Sequence, residues 1–73
     1  MSFEQQRSIV EVVASVLGVE VPPYEHPGFF AMVLPDQRTL VVDESAACIY
    51  APGTFEKFQH DGTQPEEVAR VEL

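Results

Sequence analysis

The stretch FFAMVLPDQRTLVVDESAACIYAPG, residues 29–53, decides the fold. It contains three short apolar runs, each followed by a turn signal. The runs are Phe29–Leu34, Arg38–Asp43 and Ala46–Ala51. Pro35-Asp36 suits a type I turn, because proline fits its second position. Pro52-Gly53 suits a type II turn, because glycine tolerates the positive φ required there. Runs of this length between such turns predict an antiparallel meander.

Upstream of the meander, residues 2–17 are predicted to form one amphipathic helix. Ser2 and Gln5 match a capping box, in which the serine hydroxyl accepts a hydrogen bond from a free backbone N–H. Gly18 is the left-handed residue that commonly ends a helix. The apolar positions at helical spacing are Phe3, Ile9, Val10, Val13, Val16 and Leu17. The polar face carries Glu4, Arg7, Ser8, Glu11 and Ser15.

Downstream of the meander, residues 54–60 are predicted to form a fourth strand that ends at an Asp61-Gly62 turn. The tail PEEVARVEL, residues 65–73, has two interpretations. Valines at helical spacing after a second capping box favour a helix, whereas the alternation in VARVEL favours a strand. We favour the strand. The predicted fold class is therefore α+β, a single domain over 1–73 with one N-terminal helix packed on a four- to five-stranded antiparallel meander.

Composition narrows the possible functions of this chain. Its 73 residues carry four Lys+Arg and twelve Asp+Glu, for a formal charge of −8 and a pI near 4.4. Binding to nucleic acid or to an anionic membrane requires a basic surface, so neither is expected. Cys48 is the only cysteine, which excludes an internal disulfide and favours a reducing, cytoplasmic location. The opening MSFEQQRSIVEVV is too charged for a signal peptide, and no apolar run approaches the roughly 20 residues of a membrane span.

The predicted sheet is apolar on both faces. Side chains alternate between the two faces along a strand, so a sheet with one wet face alternates apolar and polar residues. In the first strand, however, Phe29, Ala31 and Val33 oppose Phe30, Met32 and Leu34. The second and third strands are apolar on both sides in the same way. One helix covers one face, and the other face therefore needs a cover.

Four covers for that second face are considered. The C-terminal segment forms a second helix across it, two copies pack sheet to sheet, a different protein docks there, or the sheet curls into a barrel. A large uncovered apolar patch is unusual on a monomer and usually marks an interaction site. We therefore expect a homodimer or a protein partner.

Several residue groups invite a chemical interpretation, and each has a simpler one. His60-Asp61 with Ser45 lacks the motif context of a catalytic triad. Cys48 lies within a strand, where a buried inert thiol is the common case. The ligand candidates His26, His60 and Asp61 lack metal-binding spacing, so no metal or other cofactor is predicted. The pairs Asp43-Glu44 and Glu66-Glu67 are expected to be solvated rather than acid–base catalysts.

Two resemblances bear on function. The helix followed by three strands, ending in Ile49-Tyr50-Ala51-Pro52-Gly53, resembles the first half of type III secretion chaperones over about 50 residues. That likeness implies a small acidic dimer that holds a secreted client, but the second half of that fold is missing here. Small phage-encoded inhibitors of bacterial defence systems are similar in size, charge and use of a single cysteine. Their likeness implies an inhibitor of a host nucleic-acid-binding machine, and mimicry of nucleic acid is one way to reach it.

The sequence therefore predicts a cytoplasmic, non-enzymatic protein-binding module, acting as an inhibitor or adaptor. An apolar sheet face with an acidic rim is expected to make the contact. Aromatic residues and Met dominate interface energetics. The predicted contact residues are Tyr24, Phe29, Phe30, Met32 and Tyr50, with Asp36, Asp43 and Glu44 as the rim. The rival is a small enzyme with a His/Cys-based site.

Overall fold

The computed structural model describes residues 3–25 and 28–72, so the predicted cap Ser2 and the loop residue His26 lie outside the described residues. The elements in chain order are α1 (Phe3–Leu17), β1 (Phe30–Val33), β2 (Thr39–Val42), β3 (Ala46–Tyr50), α2 (Thr54–Asp61) and β4 (Glu67–Glu72). The four strands form one antiparallel sheet in the order β1-β2-β3-β4. The α+β meander predicted from the sequence is confirmed.

Turn chemistry fixes the register of this meander. Gln37 adopts a left-handed φ of 74° and its N–H donates to the Leu34 carbonyl at 2.9 Å, which closes a three-residue hairpin loop of Pro35, Asp36 and Gln37. In the next turn the Asp43 carboxylate accepts the backbone N–H groups of Ser45 and Ala46, each at 2.8 Å. Because both loops are short and locally bonded, the strands are held in a single alignment.

Helix α1 covers β1 and β2 and encloses the main core. Its buried stripe of Gln6, Val10 and Ala14 follows an i, i+4, i+8 spacing. The core cluster comprises Val10, Ala14, Phe30, Met32, Leu40 and Val42. Gly18 ends the helix as predicted: it has a φ of 72°, and the Val19 N–H donates to the Ala14 carbonyl at 3.0 Å. Val16 was placed on the buried face, but it is 80% exposed.

The prediction of a strand over 54–60 is wrong, because this segment forms the helix α2. Phe55 and Phe58 are three residues apart, so they share one side of a helix but would point to opposite faces of a strand. Gly53 (φ 76°) makes the sharp entry predicted for Pro52-Gly53. The N–H of Gly62 then caps the helix by donating to the Phe58 carbonyl at 2.8 Å. Only Phe55 of α2 is buried.

The tail forms a strand, as favoured above, and pairs with β3. Ala47 lies opposite Val71, and Ile49 lies opposite Ala69, with a bulge between Ile49 and Tyr50. All six residues of β4 are exposed. β4 is therefore an exposed edge strand of the sheet.

Candidate protein-binding surfaces

The strand register shows which side chains share a face. Phe30 and Met32 pair with Val42 and Leu40, and all four face α1 in the main core. We call this side of the sheet the helix face. Phe30 is 3% and Met32 7% exposed, so these two predicted contact residues are core residues in the single chain.

Tyr24 lies at the β1 border of the helix face. Its ring centroid is 4.6 Å from that of Phe3 and 4.9 Å from that of Phe30. Its hydroxyl donates to the Gln6 side-chain oxygen at 3.3 Å, while the Gln6 amide nitrogen is buried with no hydrogen-bond partner. Tyr24 is 43% exposed. It is the one predicted contact residue with a largely accessible side chain.

Phe29 and Tyr50 point to the opposite side of the sheet, which we call the back face. Phe55 from α2 packs between them, with ring centroids 6.0 Å from Phe29 and 5.5 Å from Tyr50. Burial raises the pKa of Tyr50 to about 12, and the neighbouring Cys48 and Glu67 add to the shift. The five predicted contact residues thus lie on both faces of the sheet and do not form one surface. Their role in binding stays a prediction.

The back face has a cover that the sequence analysis did not assign. A second helix was considered only for the C-terminal segment, whereas α2 brings Phe55 onto this face from residues 54–61. Thr39, Val41 and Cys48, which point to the back face, are all buried. The expectation that one face is left bare is therefore corrected.

The most exposed apolar side chains lie instead on α1 and on the helix-face side of β4. The connection after α1 runs along the Phe3 and Arg7 side, where it lines a 240 Å³ cavity with Tyr24 and Phe30. At about 100° per residue, Val12 and Val16 lie about 160° and 120° from Val10 at the centre of the buried stripe, on the side of α1 away from Phe3 and Arg7. They are 64% and 80% exposed, and Val71 of β4 is 62% exposed. We define the open apolar face as Val12, Val16, Ala69 and Val71.

Sequence reasoning missed this open face, although one signal for it was present. The apolar arc of α1 includes Val12 as well as the predicted stripe. This arc is wider than the part of a helix surface that packing against one sheet buries. An excess of apolar residues beyond about 100° of arc indicates that part of the helix remains uncovered.

The predicted acidic rim does not form one border. Asp36 lies in the β1–β2 turn and is ion-paired with Arg38, whereas Asp43 and Glu44 lie in the β2–β3 turn at the other end of the strands. The two other arginines are also paired, Arg7 with Glu11 at 2.8 Å and Arg70 with Glu72 at 2.6 Å. The negative charge is therefore spread over the molecule, and each of its three arginines is ion-paired with a carboxylate of this chain.

The structure shows the contacts of three residues that were considered for catalysis, Cys48, Ser45 and Asp61. The Cys48 thiol is buried on the back face, and a guanidinium nitrogen of Arg70 lies 3.4 Å from its sulfur. Burial raises the pKa of this thiol in spite of that cation, which disfavours the reactive thiolate. Ser45 donates its hydroxyl to Asp43 at 3.1 Å, and Asp61 accepts hydrogen bonds from Thr63 in its own turn. Ser45 and Asp61 are each bonded within their own turn, whereas Cys48 contacts Arg70 of the neighbouring strand.

Residues 3–25 and 28–72 contain no group of three or more His, Cys, Asp or Glu side chains placed to hold a metal ion. Over the same residues, no helix is both long and apolar enough to cross a membrane. Comparison with known proteins finds no matching family model, and no curated protein or solved structure that is significantly similar.

Proposed function

We propose that this chain is a small acidic, non-enzymatic protein-binding module that acts as an inhibitor or adaptor through the open apolar face. The observation that carries the proposal is the exposure of Val12, Val16 and Val71, which at 64%, 80% and 62% are the most exposed large apolar residues in the described part of the chain. Fully burying a valine side chain is worth about 1.5–3 kcal/mol. A partner that covers three such side chains gains several kcal/mol of burial free energy, which offsets part of the cost of association.

Charge indicates the chemistry of the partner. The net charge is −8, and Arg7, Arg38 and Arg70 are each paired with this chain's own carboxylates. A positively charged protein surface around an apolar centre complements such a module, and the attraction speeds the encounter. High salt is then expected to slow association.

Substitutions on the open apolar face test this proposal. A tagged chain is used to retain partners from its native host, and the retained protein is then titrated with purified Val16→Glu and Val71→Glu variants. We expect each substitution to weaken binding about tenfold, the equivalent of about 1.4 kcal/mol. Gln64→Glu is the matched control, because it adds the same charge at an exposed loop position outside α1 and β4. Equal binding by Val71→Glu and Gln64→Glu contradicts the proposal.

The same preparation separates two further alternatives. Under the proposed binding function, Cys48→Ala and His60→Ala are expected to bind the partner like the wild type. Under the rival enzyme function, which requires His60 or Cys48, these substitutions abolish function. Light-scattering mass across a concentration series at low and high salt tests the predicted homodimer. A mass that doubles with concentration in the wild type, but not in Val71→Glu, assigns a second copy to the open apolar face.

A further inference from the structure

A narrow cleft separates α2 from the first two strands on the back face. It has a volume of about 210 Å³. Its lining residues are Glu25, Ala31, Met32, Val33, Thr39, Phe55, Glu56 and Gln59. Sites for drug-sized ligands are usually about 300–1,000 Å³, so this cleft fits one long side chain better than a metabolite.

The polar lining of the cleft is acidic. Glu25 precedes β1 and Glu56 lies in the first turn of α2, so two separate elements each contribute an acidic residue to the lining. Among the described residues, no lysine or arginine lines the cleft. Arg38, which follows the β1–β2 turn, is ion-paired with Asp36. The charge of the cleft is therefore complementary to a cation.

Thr39 is an independent sign of an unmet hydrogen bond at this site. It pairs with Val33 and with Tyr50 in the strand register, which directs its side chain to the back face. The residue is 3% exposed, and its hydroxyl oxygen has no hydrogen-bond partner. A buried polar group in this state costs free energy, and a donor that displaces the neighbouring side chains enough to reach the oxygen relieves that cost.

We propose that this cleft binds a single arginine side chain presented by another protein. Its aliphatic stem lies along Ala31, Val33 and Phe55, and its guanidinium donates to the carboxylates of Glu25 and Glu56. The five N–H groups of a guanidinium are enough for both carboxylates and the Thr39 hydroxyl, and its plane stacks well on an aromatic ring. The cleft lies on the opposite face of the sheet from α1, so this inference stands or fails independently of the open apolar face.

The test uses Nα-acetyl-arginine amide as the probe and Nα-acetyl-citrulline amide as its neutral counterpart. Each is titrated into the full chain, and the ¹H–¹⁵N signals of Thr39, Phe55 and Gln59 are followed. We expect saturable shifts with the arginine probe and binding about tenfold weaker with the citrulline probe. Equal affinities for the two probes overturn the proposal.

Charge variants show whether the cleft or the net charge binds the probe. Glu56→Gln and Glu25→Gln are each expected to weaken binding by about three- to tenfold. Glu4→Gln is the matched control, because it removes the same charge from an exposed position on α1. If Glu4→Gln loses as much affinity for the arginine probe as Glu56→Gln does, the net charge of the chain explains the binding and the proposed site is overturned.

Thr39→Val gives a signature that a purely structural role does not. Valine has nearly the same shape as threonine without the unpartnered hydroxyl, so the melting temperature of the free variant is expected to rise. Its affinity for the arginine probe is expected to fall. An unchanged affinity of Thr39→Val for the arginine probe removes Thr39 from the site. In the wild type, an affinity for Nα-acetyl-lysine amide equal to that for the arginine probe overturns the assignment to arginine.

Discussion

The two faces of the sheet are both apolar in sequence, yet they are covered in different ways. On the helix face, the 15-residue α1 packs Val10 and Ala14 onto four buried strand residues but leaves β4 uncovered. On the back face, the eight-residue α2 contributes one buried side chain, Phe55. The long helix leaves Ala69 and Val71 of β4 exposed beside it, and the short helix leaves an acidic cleft. The size of each cover therefore decides which side chains stay accessible on each face.

The largest expected effect is the loss of the main core on the helix face. Phe30→Ala removes a ring that is 3% exposed and contacts both Phe3 and Tyr24. Phe-to-Ala substitutions in a core cost about 3–5 kcal/mol, and a domain of this size rarely has more stability than that. Urea denaturation followed by circular dichroism is expected to show a largely unfolded variant. Phe3→Ala, at a position 44% exposed, is the milder control, and equal losses for both contradict a core centred on the helix face.

A smaller and local effect is expected on the back face. Phe55→Ala removes the only buried residue of α2, so the helix should detach while the sheet and α1 persist. We expect a cost of about 2–3 kcal/mol, at or below the lower end of core Phe-to-Ala losses. Native-state hydrogen exchange is expected to show faster exchange in α2, with β2 still protected. Phe58→Ala, at a position 43% exposed, should change little, and global unfolding of Phe55→Ala contradicts the local character of this cover.

These contrasts also show where reasoning from sequence succeeds. The two hairpins depend on the local chemistry of Pro35 and Asp43, and Gly53 makes the turn that leaves β3, so β1 to β3 and their turns were predictable. α1 was predictable from its apolar spacing and from Gly18. The segment 54–60 was not, because two phenylalanines in seven residues give too short a window to separate the period of a helix from that of a strand.

The sites themselves depend on information that the sequence lacks. Strand alternation shows two apolar faces but does not show which one meets α1, so Phe30 and Met32 were not distinguishable from Phe29 as surface residues. The acidic cleft brings together Glu25, Thr39 and Glu56, which lie far apart along the chain. Only the packing of α2 against the back face makes them neighbours.

The smallest expected effect is a change in the titration of Tyr50, which reports on how well α2 covers the back face. Burial raises the pKa of Tyr50 from 10.0 to about 12. Between these values the unfolded chain releases the proton while the folded chain holds it. The contribution of Tyr50 to stability is therefore complete below pH 10 and is lost as the pH rises through about 12.

Phenolate absorbance is expected to show this late titration in the wild type and not in Tyr50→Phe. In Phe55→Ala the pKa should fall back toward 10, because the ring stacked on Tyr50 is gone. A pKa that stays near 12 in Phe55→Ala assigns the shift to Cys48 and Glu67 instead, and the back face is then closed by the sheet's own side chains rather than by α2.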